Sequence, residues 1–113
     1  MDNQRLLELL ERLRNRSQEG ATVEFKSNLN EPSEIGQYIS ALANAAALEG
    51  FSRAWMVWGV ADGTHEVVGT RFNPFAAKAE GKQSLIMWLQ RMTMPKADFT
   101  FHQARHPAGT VIM

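Results

Sequence analysis

The chain alternates between hydrophobic patterns with helical spacing and patterns with the two-residue period of a strand. Leucines recur at helical spacing within residues 1–18, after the possible capping residues Asp2 and Asn3. This spacing predicts an amphipathic helix that packs on the core of its own domain. A second helix is predicted from about Ser33 to Leu48, with Gly50 as its stop, and a third within "KAEGKQSLIMWLQRM", ended by Pro95.

Five further stretches predict strands. In "TVEFKS", Val23 and Phe25 point to one face while Glu24 and Lys26 point to the other. "RAWMVWGVAD" is a short apolar run typical of a central buried strand, and "DGT" predicts a turn with "HEVVGT" as the hairpin partner. "ADFTFHQA" and "TVIM" complete the set. The order α-β-α-β-β-α-β-β favours an α+β two-layer sandwich, with a mixed, mostly antiparallel sheet and helices mainly on one face.

The length of 113 residues fits a single domain spanning 1–113. Twelve basic residues balance twelve acidic ones, so a charged partner must be recognised by a local patch. The final "GTVIM" begins like a strand and stops without a turn. We therefore expect this sequence to be a fragment of a longer protein, with further domains after Met113.

Several classes of function are excluded or disfavoured by missing motifs. The chain has no cysteine, which removes disulfides, thiolate metal sites and cysteine nucleophiles. It has no GxxxxGK[ST], GxGxxG or HExxH pattern, so no motif supports ATP binding. No apolar run approaches the roughly 20 residues of a membrane span. A cytoplasmic location without membrane contact is the resulting expectation.

Three carboxylates remain as candidate catalytic or metal-ligating groups. Glu19 and Glu24 flank the entry to the first strand, and Asp62 follows the central apolar strand. If the two strands are neighbours, these groups can converge and hold Mg²⁺ or Mn²⁺, which activates water against a phosphodiester. The structural alternative is that Asp62 forms a turn, Glu24 pairs with Lys26 or a cross-strand neighbour, and Glu19 is solvated. From the residues alone, the structural alternative is favoured.

The basic and aromatic residues allow a nucleic-acid interpretation without requiring it. The candidates for a phosphate-binding patch are Lys26, Arg53, Arg71, Lys78 and Lys82, although such a scatter more often serves solubility. Trp55 and Trp58 have opposite strand parity, so they face opposite sides of the sheet. Core packing is the favoured role for at least two of the three tryptophans, with base stacking as the alternative.

Taken together, three segments resemble the Schlafen AlbA-type domain family. That family shows Glu followed by Glu-Phe-Lys, then a helix with Ala-x-x-Asn, then an apolar strand ending Gly-Val-x-Asp-Gly and a return on Val-x-Gly. The matching stretches are "EGATVEFK", "EIGQYISALANAAA" and "WMVWGVADGTHEVVGT", and the resemblance runs from Glu19 through the final strand. This chain departs from the family pattern at "AAALEGFSRA", where many members have Gly-Gly.

The resemblance implies an α+β fold and a role in nucleic-acid binding, as in the N-terminal domains of bacterial transcriptional regulators, some of which carry an ATP-binding label. Related ribonucleases use a metal-bound site of three carboxylates, which match Glu19, Glu24 and Asp62 here. Those ribonucleases clamp RNA between two copies of the domain, and one copy is present here. Asn44 matches the family asparagine and is expected to hold its helix or touch the ligand.

Three hypotheses follow. The leading one is a DNA- or RNA-binding module of a transcriptional regulator, with phosphates contacted by Lys26, Arg53, Arg71 and Lys78 and with Asn44 nearby. The second is an endoribonuclease dependent on Mg²⁺ or Mn²⁺. The third is a protein-interaction or oligomerisation domain, with a homodimer as one possible assembly.

Overall fold

Three helices are present in the computed structural model, which describes residues 2–15, 22–92 and 98–113. They are α1 (Asn3–Arg14), α2 (Pro32–Glu49) and α3 (Leu85–Met92), with a short 3-10 segment at Glu80–Lys82. The Asp2 carboxylate caps α1 by accepting a hydrogen bond from the Arg5 amide at 2.9 Å. Gly50 ends α2 in the left-handed conformation, as predicted. None of these described helices is long and apolar enough to cross a membrane.

Four strands form one mixed sheet in the order β1-β2-β4-β3. They are β1 (Val23–Lys26), β2 (Trp55–Trp58), β3 (Gln103–His106) and β4 (Gly109–Ile112). The first two strands are parallel, whereas β2 with β4 and β3 with β4 are antiparallel. The α+β class and the mixed, mostly antiparallel sheet are therefore confirmed. Pro95, predicted to end the third helix, lies outside the described residues.

The two faces of the sheet carry separate hydrophobic clusters because side chains alternate along each strand. On one face, α1 buries Leu6, Leu10 and Leu13 against Val23, Phe25 and inward-facing residues of the other strands. On the opposite face, α2 and α3 pack Ile35, Leu42, Leu85 and Leu89 against Met56, Trp58 and Ile112. Two of the three helices thus share one face, and α1 adds a layer on the other, which confirms that the first helix packs on its own domain.

Helix α1 is held at both of its ends by hydrogen bonds, as well as by its leucines. At the start, the Asn3 side-chain amide donates to the carbonyl of Arg105 at 3.2 Å and accepts from the Arg105 amide at 2.7 Å. Arg105 belongs to the edge strand β3, so Asn3 satisfies backbone groups at that edge. At the end of α1, the Arg14 guanidinium donates to the carbonyl of His65 at 2.6 Å.

The segment "HEVVGT" returns antiparallel as predicted, through the bridge from Val60 to Val67 and a hydrogen bond from the Val68 amide to the Gly59 carbonyl at 2.8 Å. It differs from its prediction in forming no strand beside β2. The side of β2 away from β1 is instead paired with β4, at Trp58 and Ile112. The Thr70 amide then donates to the carbonyl of Thr110 at 2.8 Å, which draws the return segment against β4. The backbones of Gly69 and Gly109 approach so closely that a Cβ on Gly109 would lie 2.8 Å from the Gly69 Cα.

The tryptophans occupy opposite faces of the sheet, as their parity predicts. Trp58 is buried among the residues under α2 and α3, stacks on Phe72 with ring centroids 4.8 Å apart, and donates its indole N–H to the Leu29 carbonyl at 2.8 Å. Trp55 packs partly buried against the cluster under α1. Trp88, on α3, packs partly buried against the same cluster as Trp58. The predicted core packing of at least two of the three tryptophans is thus confirmed.

Candidate nucleic-acid interface

Three side chains meet between the edge strand β1 and helix α2. Because Val23 and Phe25 fill the core under α1, Glu24 and Lys26 point to the face that α2 covers. The Lys26 ammonium lies 3.5 Å from a carboxylate oxygen of Glu24 and 4.7 Å from the ring centroid of Tyr38 on α2. The Lys26 side chain is only 25% exposed and that of Glu24 only 22%. A partly buried lysine is therefore held between an anion and an aromatic ring.

These neighbours raise the pKa of Lys26 above its ordinary value of 10.5. The largest cause is a side-chain hydrogen bond with Tyr38; partial burial acts in the opposite direction, and the charge of Glu24 adds a smaller increase. A raised pKa in the folded state means that these contacts stabilise the fold fully below pH 10.5 and lose that contribution as the pH rises through the folded value. At neutral pH, Lys26 is therefore a fixed cation.

Arg71 is brought to the same end of the sheet by Asn28, two residues after Lys26. The Asn28 side-chain oxygen accepts from the Arg71 amide at 2.8 Å and from the Thr70 hydroxyl at 3.0 Å. The Arg71 side chain is exposed, and no ion pair forms with it among the residues that the structure describes. We name Lys26, Tyr38, Asn28 and Arg71 the Lys26 surface.

The other predicted phosphate-binding residues lie elsewhere. Arg53 precedes Trp55 at the start of β2, whereas Lys26 is in register with Trp58 at its end. At about 3.3 Å per residue, the two ends of β2 are about 10 Å apart, and Arg53 lies still farther from Lys26. Arg53 lines a cavity of about 1030 Å³ between α2 and residues 98–102. Lys78 is exposed and bridges to Ser84 before α3.

Asn44 is exposed on α2. The buried residues of α2 are Ile35, Leu42 and Ala46 instead. Both roles expected for Asn44, holding its helix and touching the ligand, stay predictions.

The predicted carboxylates are only partly within the described structure. Glu24 is in register with Met56, six residues before Asp62, and Asp62 is exposed in the turn that follows β2. Within residues 2–15, 22–92 and 98–113, no three His, Cys, Asp or Glu side chains are grouped to hold a metal ion. Glu19 lies outside those ranges, so the three-carboxylate site stays a prediction.

A second group of contacts attaches the Asp62 turn to α1. The Arg14 guanidinium donates to the His65 carbonyl, and the His65 ring Nδ1 lies 3.3 Å from the Arg14 carbonyl. The centroid of the His65 ring lies 4.4 Å from that of Phe25. His65 adopts a left-handed φ of 60°, which is rare for a residue with a side chain. The end of α1 and the turn that carries Asp62 are consequently fixed to each other.

Tyr38, Asn28 and His65 were not predicted as members of a site. Tyr38 falls on the apolar stripe of α2, so its spacing indicates core packing. Asn28 lies in a segment rich in turn residues, and nothing in the local pattern connects it with Arg71, 43 positions later. Contacts at such separations are set by how the elements pack, which a local pattern does not encode.

A family model described as Schlafen, AlbA_2 matches residues 19–113. The match covers β1 to β4, including Glu24, Lys26 and Asp62, and it begins after α1. No curated protein and no solved structure matches the chain significantly.

Proposed function

This chain belongs to the Schlafen AlbA_2 family, and we propose that its domain binds the phosphate backbone of nucleic acid through the Lys26 surface. Family membership points to a nucleic-acid-related domain. The observation that carries the proposal is the bond from the Arg71 amide to Asn28, because it brings an exposed guanidinium to the end of the strand that holds Lys26. In this proposal the domain serves a cytoplasmic transcriptional regulator.

The chemistry of the Lys26 surface suits a phosphodiester better than a neutral ligand. Arg71 offers a planar fork of donors that matches two phosphate oxygens, and Lys26 offers a compact charge already held in place. Because the whole chain is formally neutral, long-range attraction contributes little and local contacts must provide affinity. Such contacts fix the position of the protein on the nucleic-acid backbone and do not read the base sequence directly.

Replacing Lys26 by Met or Arg71 by Ala should weaken binding of the domain to nucleic acid and reduce its dependence on salt. Each lost phosphate contact lowers the slope of log K against log salt by about 0.7 to 0.9. Fluorescence anisotropy of labelled single-stranded and double-stranded oligonucleotides at several salt concentrations measures both quantities.

The matched control is Arg5→Ala, which removes one exposed cation from α1 on the opposite face of the sheet. It should leave the slope unchanged. Binding that is insensitive to salt, or equally weakened by all three substitutions, contradicts the role of the Lys26 surface.

A second candidate function is a metal-dependent endoribonuclease, favoured by the attachment of α1 to the Asp62 turn. Arg14, the last residue of α1, bonds to His65, three residues after Asp62, and Glu19 follows Arg14 by five positions in the sequence. Glu19, Glu24 and Asp62 would hold Mg²⁺ or Mn²⁺, which supplies a water of lowered pKa when bound. Lys26 stands beside Glu24 and would neutralise part of the substrate's charge.

If this second function is correct, the protein should cleave tRNA in the presence of Mn²⁺, and Glu24→Ala or Asp62→Ala should abolish cleavage. Gel electrophoresis of tRNA incubated with and without Mn²⁺ gives the result. Glu66→Ala is the control, because Glu66 is an exposed carboxylate four residues after Asp62. Cleavage that persists in both carboxylate variants removes this candidate.

A further inference from the structure

The Lys26 ammonium already has an anion beside it before any phosphate arrives. We propose that the Glu24 carboxylate competes with phosphate for Lys26, while Tyr38 holds the ammonium in position for either partner. This inference rests on the proposed binding of nucleic acid at the Lys26 surface and adds a regulation of its affinity. Glu24 then weakens phosphate binding, and Tyr38 strengthens it without touching the ligand.

Tyr38 is suited to a positioning role because helix α2 fixes it over the strand. The ring packs partly buried against the core cluster under α2 and α3, and the ammonium of Lys26 lies 4.7 Å from its centroid. A lysine on an exposed surface loses side-chain freedom when it binds, and a side chain already ordered loses less. The contact with the ring face also favours the protonated amine.

Glu24 is suited to competition because it shares the face and the burial of Lys26. Their charged atoms are 3.5 Å apart, within the range of an ion pair yet longer than a strong charged hydrogen bond. A phosphate can therefore replace the carboxylate without breaking a short bond. Partly exposed pairs contribute modest energies, so the competition should change affinity by about two- to fivefold.

Glu24→Gln keeps the shape of the side chain and removes its charge, so oligonucleotide affinity should rise about two- to fivefold at low salt. In the background of Lys26→Met, the same substitution should have no effect beyond that of Glu49→Gln. Glu49 is an exposed carboxylate at the far end of α2, and it measures the general effect of losing one negative charge. A rise of equal size in Glu24→Gln and Glu49→Gln, or one that survives Lys26→Met, overturns the competition.

Tyr38→Leu removes the ring, whereas Tyr38→Phe keeps it and removes the hydroxyl. We expect affinity to fall about two- to fivefold in Tyr38→Leu, measured on protein that circular dichroism shows to be folded, and to be partly recovered in Tyr38→Phe. Equal affinities in the wild type and both variants contradict the positioning role.

A measurement without nucleic acid separates this inference from the proposed function. Pyrophosphate is titrated into protein with ¹⁵N-labelled lysine, and the Lys26 side-chain resonance is followed by NMR. The resonance should respond at lower pyrophosphate concentration in Glu24→Gln than in the wild type, and at higher concentration in Tyr38→Leu. That result with no oligonucleotide binding rejects only the proposed function, whereas identical titrations in all three proteins reject the competition itself.

Discussion

Removal of residues 1–15 should leave the rest of the chain without cooperative folding, although the family match begins only at residue 19. The deletion takes away Leu6, Leu10 and Leu13, each at most 3% exposed. Burial of one such side chain contributes about 1.5 to 3 kcal/mol, and three contribute about 5 to 9 kcal/mol together. A domain has only about 5 to 15 kcal/mol of net stability, so most or all of it is lost.

Circular dichroism and urea denaturation of residues 16–113 test this expectation. Arg12→Ala in the complete chain is the control, because Arg12 is exposed on the same helix and its loss should change stability little. The stability of Leu10→Ala should fall between those of residues 16–113 and Arg12→Ala, with a loss of about 2 to 5 kcal/mol in the free energy of unfolding. A sharp urea transition for residues 16–113 near that of the whole chain would show that α1 is dispensable.

Trp58→Ala should destabilise the domain by about 3 to 5 kcal/mol, the typical cost of truncating a buried aromatic side chain. Trp58 is 1% exposed, stacks on Phe72 and bonds to the Leu29 carbonyl. Its loss leaves a cavity under α2 and also frees the segment that leads from β1 to Asn28. The urea midpoint measures the first effect, and weakened oligonucleotide binding in folded protein measures the second.

Trp58→Phe separates packing from hydrogen bonding. It keeps an aromatic ring and leaves the Leu29 carbonyl without its indole donor, so a smaller loss of about 1 to 3 kcal/mol is expected. Trp55→Phe is the comparison on the other face of the sheet, where the tryptophan is only partly buried. If Trp58→Ala and Trp55→Phe lower the urea midpoint equally, Trp58 does not have the central packing role assigned to it.

Much of the fold could be predicted because burial imposes a period on the sequence. The leucines of α1, the alternation of Val23, Glu24, Phe25 and Lys26, and the stop at Gly50 all act within a few residues of each other. The prediction for "HEVVGT" was right about the local return after the Asp-Gly turn and wrong about a strand. The place beside β2 is occupied by β4, about fifty residues later in the chain.

The features of the candidate site likewise fall into those that the local sequence predicts and those that depend on tertiary packing. The sequence by itself determined that Glu24 and Lys26 share a face, that Asp62 follows the central strand, and that any charged partner meets a local patch. Only the tertiary structure decided that Tyr38 lies over Lys26, that Asn28 brings Arg71 to the end of β1, and that Arg53 lies at the opposite end. Side-chain direction follows from the local period of a strand, whereas proximity between distant segments depends on how the packed elements bury their apolar faces.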